Sequence, residues 1–182
     1  MNYKNKTLGE KDLNSNDFEN QTFENCKFVG NIRFVSFLNC IFKNCDLSQA
    51  LYNTTSFTNC AFPMSKLSNI DFGDIRITMC NFTDSVMENV IFKKKKIFIL
   101  KDITFKNTNL SRSAFVFCNL ENQTFDGCNL ESVVFEKCKL KNTNFSNANI
   151  NGVGFEECNV ENTKLDINGF ISYCTSKGFI LN

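Results

Sequence analysis

From Cys118 to Ile167 the chain divides into ten consecutive fives, and the third residue of each is apolar: Leu120, Phe125, Leu130, Phe135, Leu140, Phe145, Ile150, Phe155, Val160 and Leu165. Two residues earlier stands a mostly small side chain, as at Cys118, Cys128, Val133, Cys138, Thr143, Ala148 and Cys158. Asn, Glu, Lys, Asp, Ser and Gly dominate the other three positions. A period of five is neither the 3.6 of a helix nor the 2 of a flat strand. It demands a chain that turns a corner every five residues and sends one large and one small side chain inward from each edge.

The same spacing extends upstream. It runs back from Leu165 through Phe115, Leu110 and Phe105 to Leu100, then in a second register from Phe92 to Ile32, and in a third from Phe28 to Leu8. One turn of such a chain cannot bury its own apolar residues, but stacked turns bury one another's. Stacking also pairs the backbone groups of each turn with those of the next. At the ~4.8 Å spacing of neighbouring strands, about eight turns make a rod roughly 40 Å long. Sixteen of the 21 Phe residues fall on central positions, which marks them as core. In the second half Phe and aliphatic centres alternate, so two Phe columns are expected to face each other across the interior. The single Pro suits continuous pairing between turns, which Pro would interrupt.

The motif, small residue then Asn or Asp then Leu or Phe then two variable residues, resembles that of the pentapeptide-repeat family. The resemblance implies an all-β fold: a right-handed quadrilateral parallel β-helix of about eight coils, four fives to a coil, with a short C-terminal capping helix. Residues 8–92 would form the N-terminal coils, 93–102 a basic interruption or loop, 103–165 the C-terminal coils and 166–182 a cap and dimerisation segment of one domain.

Ten cysteines raise the question of disulfides or metal. Nine of them, Cys26, Cys40, Cys45, Cys60, Cys80, Cys118, Cys128, Cys138 and Cys158, occupy the small inward position. Stacked sulfurs about 4.8 Å apart exceed the usual Cβ separation of a disulfide, about 3.8 Å. A row of sulfurs with no His also fails the tetrahedral demand of zinc. The reading is reduced cysteine serving as a small core residue, with no metal and no cofactor.

Net charge is +1, but it is unevenly laid out. Residues 1–92 carry −2, residues 93–112 carry +6 and residues 113–182 carry −3. The basic block opens with Lys93, Lys94, Lys95 and Lys96, followed by Ile97, Phe98, Ile99, Leu100 and Lys101. From Phe92 to Leu100 is eight residues where two fives need ten. The stretch is therefore either one short, irregular edge with solvated lysines or a protruding loop that touches a partner. A smaller slip of one residue lies between Phe28 and Ile32, at Gly30 and Asn31, and points to a local corner or bulge.

After Leu165 the repeat stops. Asp166 or Asn168 can cap a short helix through Lys177, with Gly178 as its terminator. Phe170, Ile171, Tyr173 and Cys174 then share a face, and Phe179, Ile180 and Leu181 follow. An open solenoid end needs a cover. This tail supplies one and leaves apolar surface over, which suggests a homodimer joined at the C-terminal ends.

No catalytic constellation is present. The chain has no His, which excludes a His-based triad, and its 8 glycines form no phosphate loop. No apolar run approaches the roughly 18 residues of a membrane span, and the N-terminus lacks a signal-peptide pattern, so a cytoplasmic protein is expected. Direct nucleic-acid binding is not expected either: four lysines can touch phosphates, but no aromatic stacking platform accompanies them.

Within the family, three segments resemble the Qnr-type topoisomerase-protection proteins: LGEKDLNSNDFENQTFENCKF at the start, KNTNLSRSAF after the interruption, and KLDINGFISYCTSKGFILN at the close. That likeness implies binding to DNA gyrase or topoisomerase IV and protection from quinolones. By position, Lys93, Lys94, Lys95, Lys96, Ile97, Phe98 and Lys101 would form the partner-binding loop. Phe170, Ile171, Tyr173, Phe179, Ile180 and Leu181 would form the dimer interface. The competing reading is a structural or interaction module with a different protein partner and no topoisomerase activity.

Overall fold

The computed structural model describes residues 2–180 apart from Lys101, with the backbone alone at Asn2, Lys95 and Lys96. The chain winds as a parallel β-solenoid of about eight turns. Its short strands stack in four parallel sheets, the sheet of face 2 bending round onto face 3 where Asn31 pairs with Leu51 and Ile32 with Tyr52. Face 1 carries Tyr3, Phe23 and Phe42 at its centre; face 2 carries Leu8 and Phe28. Face 3 carries Phe92, Phe115, Phe135 and Phe155, and face 4 carries Phe18, Phe37, Phe57 and Ile77.

Centres from successive turns stack ring on ring. On face 1 the rings of Phe42 and Phe62 lie 4.9 Å apart and 8° from parallel, and those of Phe125 and Phe145 lie 5.1 Å apart at 1°. The second aromatic column changes face midway. Through Phe57 it runs on face 4, next to face 1, as the stacked pair Phe37–Phe57 shows. From Phe72 it runs on face 3, opposite face 1, as in Phe72–Phe92 at 4.6 Å. The facing columns expected for the second half are present, and they meet edge to face, as in Phe115–Phe125 at 6.1 Å and 79°. Such geometry sets the positive ring edge against the negative ring face.

The small inward positions do more than fit. Each turn leaves carbonyl oxygens pointing into the interior, and the small residue of the turn above donates to them. Ser65 Oγ donates to Phe42 O at 2.7 Å, Thr108 Oγ1 to Phe82 O at 2.7 Å and Thr143 Oγ1 to Leu120 O at 2.8 Å. Cysteine thiols occupy the same role: Cys40 Sγ to Phe18 O, Cys60 Sγ to Phe37 O, Cys80 Sγ to Phe57 O and Cys138 Sγ to Phe115 O, at 3.1–3.4 Å. The choice of Cys, Ser and Thr therefore reflects hydrogen bonding as well as size.

Corners explain the abundance of Asn. One residue in most fives sits in the left-handed region, among them Asn20, Asn25, Asn39, Asn44, Asn59 and Asn142. Asn tolerates that region better than other side chains. The corner amides then bond from turn to turn: Asn25 Nδ2 donates to Asn5 Oδ1 at 3.1 Å, and Asn44 Nδ2 to Asn25 Oδ1 at 2.8 Å.

Two irregularities interrupt the winding. At the first, the register shifts between Lys27, which pairs with Asp46, and Val29, which pairs with Gln49. Gly30 takes φ +80 there, and a Cβ on it would come within 3.3 Å of Glu10 Oε1. That oxygen accepts the Asn31 N–H at 3.0 Å from the short helix α1 (Glu10–Leu13). The corner expected at Gly30–Asn31 is thus a shortened edge braced by α1.

The second irregularity corrects the sequence count. Lys93 pairs with Val116 and Phe98 with Cys118, so five steps of the strand Ile91–Ile99 oppose two steps of Ala114–Asn119. Phe92 to Leu100 is one edge with three extra residues, not two shortened ones. The backbone stays extended, so the insertion is an enlarged β-bulge of three extra residues within a strand.

Candidate interaction surfaces

The bulge lies at the corner between faces 3 and 4. Lys93 and Ile97 point outward, Ile97 being 52% exposed. Phe98 does not. It is 4% exposed, sits at the small inward position opposite Cys118, and approaches the Phe92 ring at 6.2 Å. Placing it among the partner-facing residues is therefore corrected: it anchors the bulge. Lys94 is half-buried with its Nζ 4.4 Å from the Phe98 ring centroid. Burial, with Arg76 beside it, holds the Lys94 ammonium below its ordinary pKa, and Asp74 opposes that shift. Val116, outward in register on the neighbouring strand, is buried. The basic stretch is thus a strand packed down at both ends. The side chains of Lys95, Lys96 and Lys101 lie outside the described residues.

At the other end of the molecule, helix α2 (Ile167–Ser176) lies across the last turn. Asp166 is its N-cap: Oδ1 accepts from Gly169 N at 2.7 Å, and Oδ2 accepts from Asn147 N at 2.7 Å. Those two amides hold the Asp166 carboxyl below its ordinary range. The C-terminus closes as expected, with Gly178 at φ +87 and Phe179 N donating to Cys174 O at 3.1 Å. Gly169 is buried against Ile150 on face 2, where a Cβ would stand 3.3 Å from Ile150 Cδ1. Tyr173 packs on Phe155 on face 3, their rings 5.4 Å apart.

The cover is therefore partial. Between α2 and faces 4 and 1 an open apolar groove of about 640 Å³ remains, lined by Phe155, Val160, Leu165, Ile167, Phe170 and Tyr173. Of the expected interface residues, Phe170 is exposed, and Ile171 and Tyr173 are half-buried. Phe179 and Ile180 are 68% and 87% exposed. Leu181 lies outside the described residues.

A third surface was not singled out from the sequence. On face 3 the residue just before each centre points outward, and the register places Ile91, Ala114, Val134 and Gly154 in one column. Leu51 and Asp71 line the adjoining groove with Ile91 and continue that column. The signal was present as an apolar bias at one outward position of every fourth five.

The thiols offer no separate site. All ten cysteines are free, and no metal-holding cluster occurs among the described residues. Burial pushes the Cys45 and Cys128 thiols up to about 12, so they stay protonated.

Residues 108–167 match the model of the pentapeptide repeat region, and the four-sheet winding extends the same pattern over the chain. Residues 108–167 are a pentapeptide-repeat region. Among solved structures, the rod is similar to QnrB1, described as a plasmid-mediated fluoroquinolone resistance protein: TM-score 0.61 and 19% identity, over 100% of this chain and 99% of that one. It also matches HetL of the cyanobacterium Nostoc, a pentapeptide repeat protein involved in heterocyst differentiation regulation. That match has a TM-score of 0.49 and 10% identity, over 90% and 84% of the two chains. No curated protein matches by sequence. No helix among the described residues is long and apolar enough to cross a membrane.

Proposed function

We propose that this rod is a non-enzymatic, cytoplasmic interaction protein that binds DNA gyrase or topoisomerase IV and protects it from quinolones. The support is its end-to-end correspondence with a fluoroquinolone resistance protein, 100% of one chain against 99% of the other. A rod acts through its length, its ends and its side projections, and the length is what corresponds here. In this reading two copies join through α2, Phe170, Phe179 and Ile180, and the Lys93–Ile97 stretch meets the enzyme.

The test is a gyrase supercoiling assay with ciprofloxacin, with and without the protein. Rescue of supercoiling is expected, and it should fall when Lys93, Lys94, Lys95 and Lys96 are changed together to Ser. Absence of rescue at any concentration overturns the reading.

One observation favours a second reading, an interaction rod for a different protein partner. Phe98 and Val116 are buried, so the basic segment is held close to the rod and reaches less far than a free loop. In that case the protein binds its partner with no effect on supercoiling.

A further inference from the structure

On the other three faces the outward position before each centre is polar except at Ile41 and Ala61 on face 1, Val86 on face 2 and Ile99 on face 4. Thr124 and Asn144 pair there on face 1, Asn129 and Asn149 on face 2, and Asn119, Lys139 and Asn159 on face 4. On face 2 the side chains also bond along the column, Asn149 Nδ2 to Asn129 Oδ1 at 2.9 Å. Face 3 has no such ladder. Its column reads Leu51, Asp71, Ile91, Ala114, Val134, Gly154, with Leu51 70%, Ile91 41% and Val134 36% exposed. Asp71, the one charge, is turned into local backbone, its Oδ1 accepting Gly73 N at 2.8 Å. Scattered surface leucines mean little, but a column with four apolar members out of six on one face of a largely polar rod marks a contact surface.

Around Ile91 the cations Lys93, Lys94 and Arg76 outnumber the carboxylates Asp71 and Asp74. Lys93 is exposed on the same strand as Ile91, and Lys94 stands beside Arg76 at the adjoining corner. Glu136, further along, is paired with Lys137 at 3.6 Å, and Glu156 marks where the basic character ends. Six positions at ~4.8 Å span roughly 24 Å. That is the length of about 16 helical residues, and the column spacing is close to the 5.4 Å rise of one helical turn. A helix laid along the rod would thus place one apolar side chain per turn near each member of the column. A free strand fits less well, because face 3 presents side chains and not an unpaired edge.

We propose that face 3 is a docking surface for an amphipathic α-helix of a partner protein, its apolar stripe on Leu51, Ile91 and Val134 and its acidic flank over Lys93, Lys94 and Arg76. This rests on the reading of the chain as an interaction protein and names the chemistry of what it binds.

The test uses synthetic probes on the full-length protein, read by fluorescence anisotropy. One probe is a stapled 16-residue helix with a leucine stripe and a glutamate flank; the second replaces its glutamates with lysines; the third is oligoglutamate of equal length. The acidic amphipathic helix should bind at least tenfold more tightly than either control. Ile91→Glu should weaken it about tenfold, and Leu51→Glu serves equally if the first variant fails to fold by circular dichroism. Equal binding of the acidic and basic helices, or stronger binding to phosphatidylglycerol vesicles, overturns the proposal. So does binding unchanged by both variants. Loss of drug rescue with intact helix binding counts against the topoisomerase reading alone.

Discussion

The thiol of Cys45 donates to the carbonyl oxygen of Phe23, one turn below, at 3.3 Å, and burial pushes that thiol up to about 12. Cys128 stands in the same relation to Phe105 and is shifted likewise. A folded-state pKa above the unfolded value of about 8.5 means that the folded state holds its proton where the unfolded state has lost it. Stability is then fully present below pH 8.5 and declines as pH rises towards 12.

Each of these two thiols should remove about 1.4 kcal/mol per pH unit across that window. Thermal melting in reductant from pH 7.5 to 10.5 should show a steep fall above pH 9. The double variant Cys45→Ser, Cys128→Ser should make the fall shallower, because Ser keeps a donor and does not ionise there, while Cys138, also pushed up to about 12, keeps part of the slope. An unchanged alkaline slope in that variant would refute the assignment.

Thr54 holds φ +50 at an exposed corner where most turns place Asn. A β-branched residue is poorly suited to that region. Thr54→Asn should raise stability by about 0.5–1 kcal/mol, a gain of a few degrees in Tm. No gain on calorimetry would argue that the corner is unstrained.

In the bulge, neighbouring residues should behave oppositely. Phe98→Ala opens a cavity in the interior and should cost about 3–5 kcal/mol. Ile97→Ser, on the outside, should stay within about 0.5 kcal/mol. Urea midpoints measure both, and a neutral Phe98→Ala would mean that the segment is a loose loop after all.

At the C-terminal end, light scattering should give twice the 20.8 kDa of one chain. Phe179→Asp with Ile180→Asp should halve that mass while leaving the strand signal in circular dichroism intact. A monomeric parent protein would remove the proposed dimer interface.

The solenoid was legible in the sequence because its period is set by side chains that must point inward, and Phe115, Phe125 and Phe135 obey it without exception. The bulge was not. Eight residues from Phe92 to Leu100 can be two fives less two or one five plus three, and spacing along one chain cannot separate these. The pairing of Phe98 with Cys118 across turns decides it. Likewise the cysteines read as small apolar fillers, because a donor is recognised only when the Phe carbonyl beneath it is placed. The apolar column on face 3 escaped notice since its members lie about twenty residues apart, each ordinary alone.

The relocation of the second Phe column, between Phe57 and Phe72, limits how this molecule can vary in length. Excising or duplicating a block of twenty residues on either side of that point returns like onto like and should leave a workable rod. The same operation across it would set a ring where an aliphatic chain is needed and leave a gap opposite. The coils look like identical bricks in the sequence, yet they form two batches with different moulds, and length variants should arise within each batch but not across the junction.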